Sequence, residues 1–433
     1  MDDRDWLTRL ELFGIKLGLD TITAILDDLG WPDQAYPVIH IAGTNGKGSV
    51  AAMVSHALTA AGHRTGRYTS PHLVSLEERF AVDGMSVSPD RFNAALARVR
   101  DAVTRLTKRG ELTVEPTFFE VTTAVAFEIF RNLKVEIAVV EVGLGGRLDA
   151  TNVVTPVVTA VTSIDVDHEA QLGTSIAAIA REKAGIIKAG VPVVVGDLND
   201  DAAPVIAAVA STERAPVISS ASADVRICGA APGQYELTVR TDRDAQAPPT
   251  QYGPVLLGLH GRHQVGNAVV ATLILDRLRG GPVSVDREAV EAGLRDARWP
   301  GRLDLVAIDG RTVLVDGAHN PAGAKALASY LFEVHPERLP IVFGVMADKH
   351  ARGMLAELAP VARPLILTRA PGKRGADPIT LAPMIRGAAA AIIVEPDIER
   401  ALAAAWSANE AIAVAGSLYL AGEVYRLLDV RIS

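Results

Sequence analysis

One cysteine, Cys228, stands among the 433 residues. The chain therefore cannot close an intrachain disulfide, and there is no second thiol for a zinc ribbon or a dithiol redox pair. Positive charge is also in short supply. Lys and Arg number 43 against 51 Asp and Glu, a formal net charge of −8, which removes the general electrostatic footprint of a nucleic-acid binder and requires any anion site to be local. No apolar run approaches the ~18–20 residues of a membrane span, because Gly, Pro or a charge interrupts each. The N-terminal stretch MDDRDWLTRLELFGIKLGLD is acidic and amphipathic, whereas a secretory signal joins a basic flank to an apolar stretch. Fixed-period repeats and low-complexity tracts are missing. These absences predict a cytoplasmic protein with neither nucleic acid nor membrane as partner. Hydrophobic residues are abundant at 49%, and the length suffices for two or three domains of ~150 residues each.

Short β-branched runs alternate with longer Ala-rich helical runs, the pattern of a largely parallel sheet covered by helices on both faces. PVIHIA (37–42) reads as the first strand, with a helix over 48–61. VEIAVVEV (135–142), VVTAVTSI (157–164) and VPVVV (191–195) repeat the form of strands buried on both faces, and the simplest reading puts them in one sheet. From 222 to 259 the texture turns alternating and turn-rich, predicting an exposed antiparallel excursion before a helix over 264–278. ARWPGRLD (297–304) turns through Pro300-Gly301, and a second α/β series follows: LDLVAI and TVLVDGA, a helix from about 322, then IVFGVM, LILTRA, AIIVE and AIAVAG. The domain boundary is placed there, giving units of 1–297 and 298–433.

The first strand runs into Gly43-Thr44-Asn45-Gly46-Lys47-Gly48-Ser49. Glycines let the backbone approach an anion, N–H groups at a helix start point at phosphate, and Lys47 adds a mobile positive charge. Ser49 is placed to bind a metal held by the phosphates. The segment departs from GxxxxGK[ST], since Ile41 occupies the first glycine position and Gly48 separates Lys47 from Ser49, but the order of strand, glycine-rich loop and helix is what phosphate binding needs. A plain strand-to-helix turn would not need the lysine.

GTNGKGS, read with FGIKLGL (13–19), TSPHL (69–73), EVGLGGRLDATN (141–152), DVDH (165–168), REKAGI (181–186), WPGR (299–302), DGAHNP (316–321) and GSLYLAGE (416–423), closely resembles the folylpolyglutamate synthase/dihydrofolate synthase family. The resemblance spans nearly the whole chain, in order. The phosphate loop alone indicates only the wider Mur-ligase superfamily. Singly, the motifs have plainer readings: the glycines of GLGG as a tight turn, His168 as a structural hydrogen-bonder, Lys183 as a solvated helix lysine. The shared order overrides them. The implied fold is α/β, a Mur-ligase-like central domain with a mostly parallel sheet and a smaller Rossmann-like C-terminal domain.

The resemblance implies MgATP-driven joining of L-glutamate to the carboxylate of a pteroate or folate through an acyl phosphate, in a monomer, with ATP, L-glutamate and the pteroate or folate as its small-molecule partners. Gly43, Thr44, Asn45, Gly46, Lys47, Gly48 and Ser49 would hold the nucleotide phosphates, with Asn267 at adenine and Arg302 and Asp316 on the phosphate and ribose side. Ser49, Ser70, Glu141 and His168 match the ligands of two Mg²⁺ ions. Lys183 matches a lysine carbamylated by CO₂, which turns a cation into a group useful beside a metal. Lys47, Lys183 and His319 carry the catalytic expectation, His319 near the acyl phosphate and the incoming glutamate. Ser70, Pro71, His72, Phe118 and Phe119 resemble pterin-side walls, and Ser417 a glutamate contact. One departure is VSLEERFAVDG (74–84), which follows HLV with neither the basic nor the aromatic residue common there. Another amino-acid ligase of the superfamily, a P-loop kinase or GTPase, and a non-catalytic nucleotide-binding scaffold are the alternatives. The first usually adds an N-terminal nucleotide-sugar domain, for which a phosphate loop at Gly43 leaves no room.

Overall fold

The computed structural model describes residues 2–11, 14, 16–242, 249–385 and 391–430. Phe13 and Ile15 of FGIKLGL lie outside the described residues. The first unit is built on β1 (Val38–Ala42), β2 (Thr65–Tyr68), β3 (Phe80–Val82), β4 (Met85–Ser86), β5 (Ile137–Glu141), β6 (Val158–Val161), β7 (Val193–Val195) and β8 (Val217–Ser219), in the order β4-β3-β2-β5-β1-β6-β7-β8. Pairing is parallel from β2 through β8 and antiparallel only at the β2–β3–β4 edge. Every residue of β1 and β5 is buried, as continuous Val/Ile runs require when helices cover both faces.

One face packs on the helices Lys47–Ala60, His263–Leu278 and Arg287–Asp296. The other packs on Asp3–Leu10, Asp20–Asp28, Pro89–Arg109 and Phe118–Asn132. The sheet presents the carboxyl ends of β1, β5 and β6 together, the usual place for a ligand crevice in an open α/β sheet.

The antiparallel excursion forms β9 (Asp224–Ala231), β10 (Gln234–Thr241) and β11 (Thr250–Leu256), ordered β11-β10-β9. The expectation that it is exposed is corrected. Tyr235, Leu237 and Val239 alternate inward along β10 and join Tyr252 and Val255 in the core around the phosphate-loop helix. Tyr252 Oη also donates to buried Asp276 at 2.7 Å. Period-two alternation means one covered face; the turn-rich texture concealed it.

The second unit carries β12 (Asp304–Ile308), β13 (Arg311–Val315), β14 (Leu339–Phe343), β15 (Ala362–Leu367), β16 (Ile392–Val394) and β17 (Ala411–Ala415), ordered β12-β13-β17-β14-β15-β16. Among the described residues only β12 runs antiparallel in this sheet. Pro321–Val334 and Ala351–Leu358 cover one face, Ile398–Ala408 and Leu418–Leu427 the other. Leu73 of the TSPHL loop packs against this second core. Among the described residues no helix is long and apolar enough to cross a membrane.

Leu237→Ala should destabilise the first unit by about 2–5 kcal/mol, and Arg226→Ala on exposed β9 should stay within about 0.5 kcal/mol. Urea denaturation of both variants checks this; equal, small effects would detach the three-stranded sheet from the core.

Candidate functional site

The phosphate loop is braced from below by the chain leaving β6. Thr44 N–H donates to Ser163 O at 2.7 Å, Asn45 N–H to Ser163 Oγ at 3.0 Å, and Thr44 Oγ1 to Asp165 O at 3.1 Å. The helix Lys47–Ala60 follows with its first N–H groups facing the crevice, where the helix leaves them without intrahelical partners. Gly48 has to lack a side chain: a Cβ there would sit 2.7 Å from the Trp299 ring, which also stacks under the Arg67 guanidinium at 4.8 Å. WPGR is thus keyed to the phosphate loop. Asn267 packs against Gly46 and donates to Gln264 Oε1 at 2.8 Å, while Gln264 Nε2 donates to buried Ser49 Oγ at 3.2 Å.

Two lysines converge on one carbonyl. Lys47 Nζ donates to Gly43 O at 3.0 Å and Thr44 O at 3.2 Å, and Lys183 Nζ reaches the same Gly43 O at 2.9 Å. Lys183 is only 5% exposed, so the plain reading of a solvated helix lysine does not hold. Burial, reinforced by the Lys47 charge, lowers its pKa to about 7. Glu141, at the end of β5, lies 3.9 Å from Lys47 Nζ and accepts from Ser70 N–H at 3.3 Å. Burial raises its pKa against the pull of Lys47, the Ser70 N–H, Arg302 and Arg67. Asp149, of the same EVGLGGRLDATN block, is spent on structure: it accepts from Leu144 N–H, Thr151 N–H and the Thr151 hydroxyl.

The second unit closes the far wall. Asn320 Nδ2 donates to Asn45 Oδ1 at 3.0 Å and to Asp167 Oδ2 at 3.2 Å; Lys349 Nζ donates to Asp167 Oδ1 at 2.6 Å; His319 Nε2 lies 3.5 Å from Asp167 Oδ2. Burial opposes ionisation of Asp167, yet the His319 hydrogen bond and the His168, Lys349 and His319 charges hold its carboxyl well below the usual range. The result is a cavity of about 780 Å³ whose walls include the phosphate loop, Ser70, Glu141, Lys183, His319 and Ser417. That size lies within the ~300–1,000 Å³ of small-molecule sites.

Most of the expected residues meet there: Gly43 through Ser49, Ser70, Pro71, Phe119, Glu141, His168, Lys183, Asn267, Arg302, Asp316, His319 and Ser417 all line the cavity. His72 and Phe118 do not. His72 Nδ1 accepts from Arg79 Nε at 3.0 Å, and the Arg79 guanidinium lies over the Phe118 ring. This pair buttresses the wall from behind, because Arg79 itself needs an acceptor and an aromatic face once buried. The Asp316 carboxylate ties its own loop to the residue after WPGR, accepting from Leu303 N–H at 2.9 Å and Ala318 N–H at 2.8 Å. Ser417 accepts from Tyr419 N–H as a helix cap. Ser70 and Glu141 are in contact, whereas His168 stands beside Asp167 and Lys349. Among the described residues no group of three or more His, Cys, Asp and Glu could hold a metal ion. Sequence reading missed Asn320, Lys349, Gln264 and Arg262. Lys349 sits just after the strand-like IVFGVM, and a charged residue at a strand end was the available signal.

Residues 41–275 match the Mur ligase middle domain and residues 301–418 the Mur ligase glutamate ligase domain. The dihydrofolate synthase/folylpolyglutamate synthase of Mycobacterium tuberculosis is 38% identical over 382 residues, 85% of this chain and 77% of that protein. The chain belongs to this family. The Escherichia coli dihydrofolate synthase/folylpolyglutamate synthase is 32% identical over 436 residues, covering 98% of this chain and 95% of its own length. A probable bifunctional folylpolyglutamate synthase/dihydropteroate synthase of Haloferax volcanii is 35% identical over 427 residues, but the ligase spans only 49% of that longer relative. In three dimensions the M. tuberculosis folylpolyglutamate synthase complexed with ADP and AMPPCP superposes with a TM-score of 0.88 at 34% identity, over 100% of both chains. The E. coli enzyme in complex with DHPP and ADP gives 0.85 at 29% identity, over 100% of the ligase and 99% of its own chain. The expected architecture of a parallel-rich central sheet with a separate C-terminal sheet domain is borne out.

Lys183 yields a pH test. Its folded pKa, about 7, lies below the ordinary lysine value of 10.5, so the unfolded ligase binds the extra proton between those limits. The cost of burying a charged amine is full below pH 7 and fades as pH rises toward 10.5. Lys183→Met should therefore raise stability most at low pH, with the gap to the wild type narrowing as pH rises. Urea midpoints across that range measure it, and a gap independent of pH would contradict the assignment.

Proposed function

We propose that this ligase joins L-glutamate to the carboxylate of a dihydropteroate, a reduced folate, or both, at the expense of ATP, with residues 1–297 as the nucleotide-binding unit and 298–433 as the glutamate-ligase unit. The observation that carries this reading is the meeting, in one cavity between the two sheets, of the phosphate loop and the DGAHNP loop. A carboxylate at neutral pH is a poor electrophile. One of its oxygens therefore takes the γ-phosphoryl group and ADP departs; the glutamate amine then attacks the acyl carbon, loses a proton, and phosphate leaves as the amide forms. Positioning and charge neutralisation are the work left to the chain.

In this reading the loop N–H groups and Lys47 hold the β- and γ-phosphates, Asn267 orders the loop beside adenine, and Arg302 reaches the phosphates from across the cavity. Asp316 keeps its loop in shape so that His319 faces the acceptor, with Asp167 orienting the ring. Ser70, Pro71 and Phe119 contribute to the pterin side and Ser417 to the glutamate side. The donor set also fits a hard cation: Glu141 is a buried carboxylate in need of a positive partner, and Ser49 and Ser70 add hydroxyl oxygens, as Mg²⁺ accepts when water and phosphate complete its shell. Mg²⁺ would supply neutralisation of phosphate charge, with His168 the less usual donor at a second ion. Lys183, buried and with a lowered pKa, has the neutral amine that CO₂ needs for carbamate formation. A monomer in the cytoplasm accords with the rest.

Purified protein with MgATP and glutamate should convert dihydropteroate, tetrahydrofolate or both to the glutamylated product with stoichiometric ADP and phosphate, read by mass spectrometry. If neither acceptor is glutamylated, the reading is wrong, and ATP binding without glutamate-dependent phosphate release would indicate a scaffold. Lys47→Ala should lower turnover by about 10²-fold or more while leaving the thermal melt unchanged. Lys183→Ala should lose most activity, with partial recovery on adding a small carboxylic acid; full activity in that variant would rule out the carbamate.

A further inference from the structure

The three-stranded sheet takes no part in the chemistry above, yet its tip reaches across to the second unit. The β9–β10 turn is Ala231-Pro232-Gly233-Gln234. Gly233 has φ +71°, the left-handed value that a type II turn demands after proline. Its N–H donates to Glu333 Oε1 at 2.9 Å, and Tyr235 Oη donates to Glu333 Oε2 at 2.6 Å. Glu333 belongs to the helix Pro321–Val334 of the second unit. Both oxygens of one carboxylate are thus engaged by the hairpin tip, and a charged acceptor holding two donors fixes direction as well as distance. Gly233 also fits against Tyr330 of the same helix: a Cβ would come within 2.3 Å of that ring.

The tip is wired in the other direction to the nucleotide site. Gly233 O accepts from Gly261 N–H at 2.8 Å, and Gly261 O accepts from Gln264 N–H at 3.0 Å. Gln264 holds Ser49 and Asn267 of the phosphate-loop neighbourhood. The Arg262 guanidinium, 5.5 Å from the Tyr235 ring centroid, lies between turn and cavity. At the opposite end of the Glu333 helix, the cap residue Asn320 is bonded to Asn45 and Asp167. Glu333 lies thirteen residues beyond Asn320, roughly 20 Å along a helix. One helix of the second unit is therefore tied to the first unit at both ends, and its N-terminal end carries His319 and Asn320 to the phosphate loop.

We propose that Glu333 is a positioning residue: by clasping the Pro232-Gly233 hairpin tip it sets the orientation of the second unit, of whose core the helix Pro321–Val334 is a part, and with it the distance between His319 and the phosphate loop. The clasp lies outside the cavity and touches no substrate. The helix is packed into the core of the second unit through Ala324, Leu327, Tyr330 and Leu331, so the clasp acts on that unit as a body, and its loss leaves the contacts around Asn320 as the directional tie at the other end of the helix. Nucleotide binding, most of whose proposed contacts lie in the phosphate loop of the first unit, should change little. The step that needs both units together should not.

The kinetic half of this proposal rests on the ligase reading; the geometric half does not. In a Cys228→Ser background, spin labels at Lys108→Cys and Ala403→Cys, both on exposed helix surfaces of the two units, report the distance between units by pulsed electron resonance. With ADP added, a single narrow distribution is expected. Glu333→Ala and Tyr235→Phe should each broaden it and lower kcat about fivefold or more, with ADP affinity held within about twofold. The double variant should be no worse than the worse single one, since the two changes remove one interaction. Gly233→Ala, which wedges the turn off Tyr330, should reproduce the effect. Tyr235→Phe removes a single hydroxyl and decides the matter if Glu333→Ala does not fold. An unchanged distance distribution in Tyr235→Phe, a broadened one with full kcat, or a loss of kcat with the distribution unchanged would each overturn the proposal. If the protein glutamylates no acceptor, the proposed reaction fails and the distance measurement still judges the clasp.

Discussion

Two lysine amino groups share one carbonyl oxygen at the base of the phosphate loop, and the surrounding structure follows from the need to tolerate them. Lys47 and Lys183 both donate to Gly43 O, and Lys183 is buried where it does so. Burial disfavours a charged amine at Lys183, and the nearby Lys47 charge adds to the penalty. The fold's responses are visible. Glu141 is drawn to 3.9 Å of Lys47, and Lys183 gives up much of its affinity for the proton. Lys47 and the first N–H groups of the helix Lys47–Ala60 face the same space, a setting that favours an anion. Phosphate affinity is thus a property of the cavity as a whole.

The second constraint is that the cavity has no far wall without the second unit. Asp167, on the loop after β6, is the meeting point: it accepts from Lys349 and Asn320 and faces His319. Leu73 packs into the second core, Trp299 of the connecting segment wedges against Gly48, and Glu333 clasps the β9–β10 turn. These contacts are of different kinds. Leu73 and Trp299 are apolar and hold the units together without fixing an angle, whereas the hydrogen bonds at Asp167 and Glu333 are directional and sit at opposite ends of the helix Pro321–Val334. A catalyst that must bring a nucleotide, an acid and an amine together in order benefits from such an arrangement, since closure can be strong in sum while each directional contact can be exchanged.

Much of this was legible in the amino-acid order. Uninterrupted Val/Ile runs announce strands covered on both faces, and PVIHIA followed by GTNGKGS announces a strand, an anion loop and a helix start, because local backbone chemistry alone demands those residues there. The ordered motifs pointed to the family, which similarity across both units bears out. Other features were out of reach. The stretch after residue 222 read as exposed because its turns and polar residues hid the period-two alternation of Tyr235, Leu237 and Val239, which marks one covered face. His72 and Phe118 belonged to motifs facing the cavity, but their side chains turn to Arg79. Lys349 and Asn320 take their place in the site from Asp167, 182 and 153 positions away along the chain.

Local sequence by itself determined which segments become strands, where the phosphate loop lies and that Lys47 belongs to it, since these depend on residues adjacent in the chain. Tertiary structure decided the charge balance: that Lys183, 136 positions from Lys47, shares its carbonyl, that Asp167 faces Lys349, and that Glu333 meets Gly233. Electrostatic and hydrogen-bond partners act over a few ångströms in space regardless of separation along the chain, so only the folded arrangement can say which charges are paired, how deeply each is buried, and how the two units are held to one another.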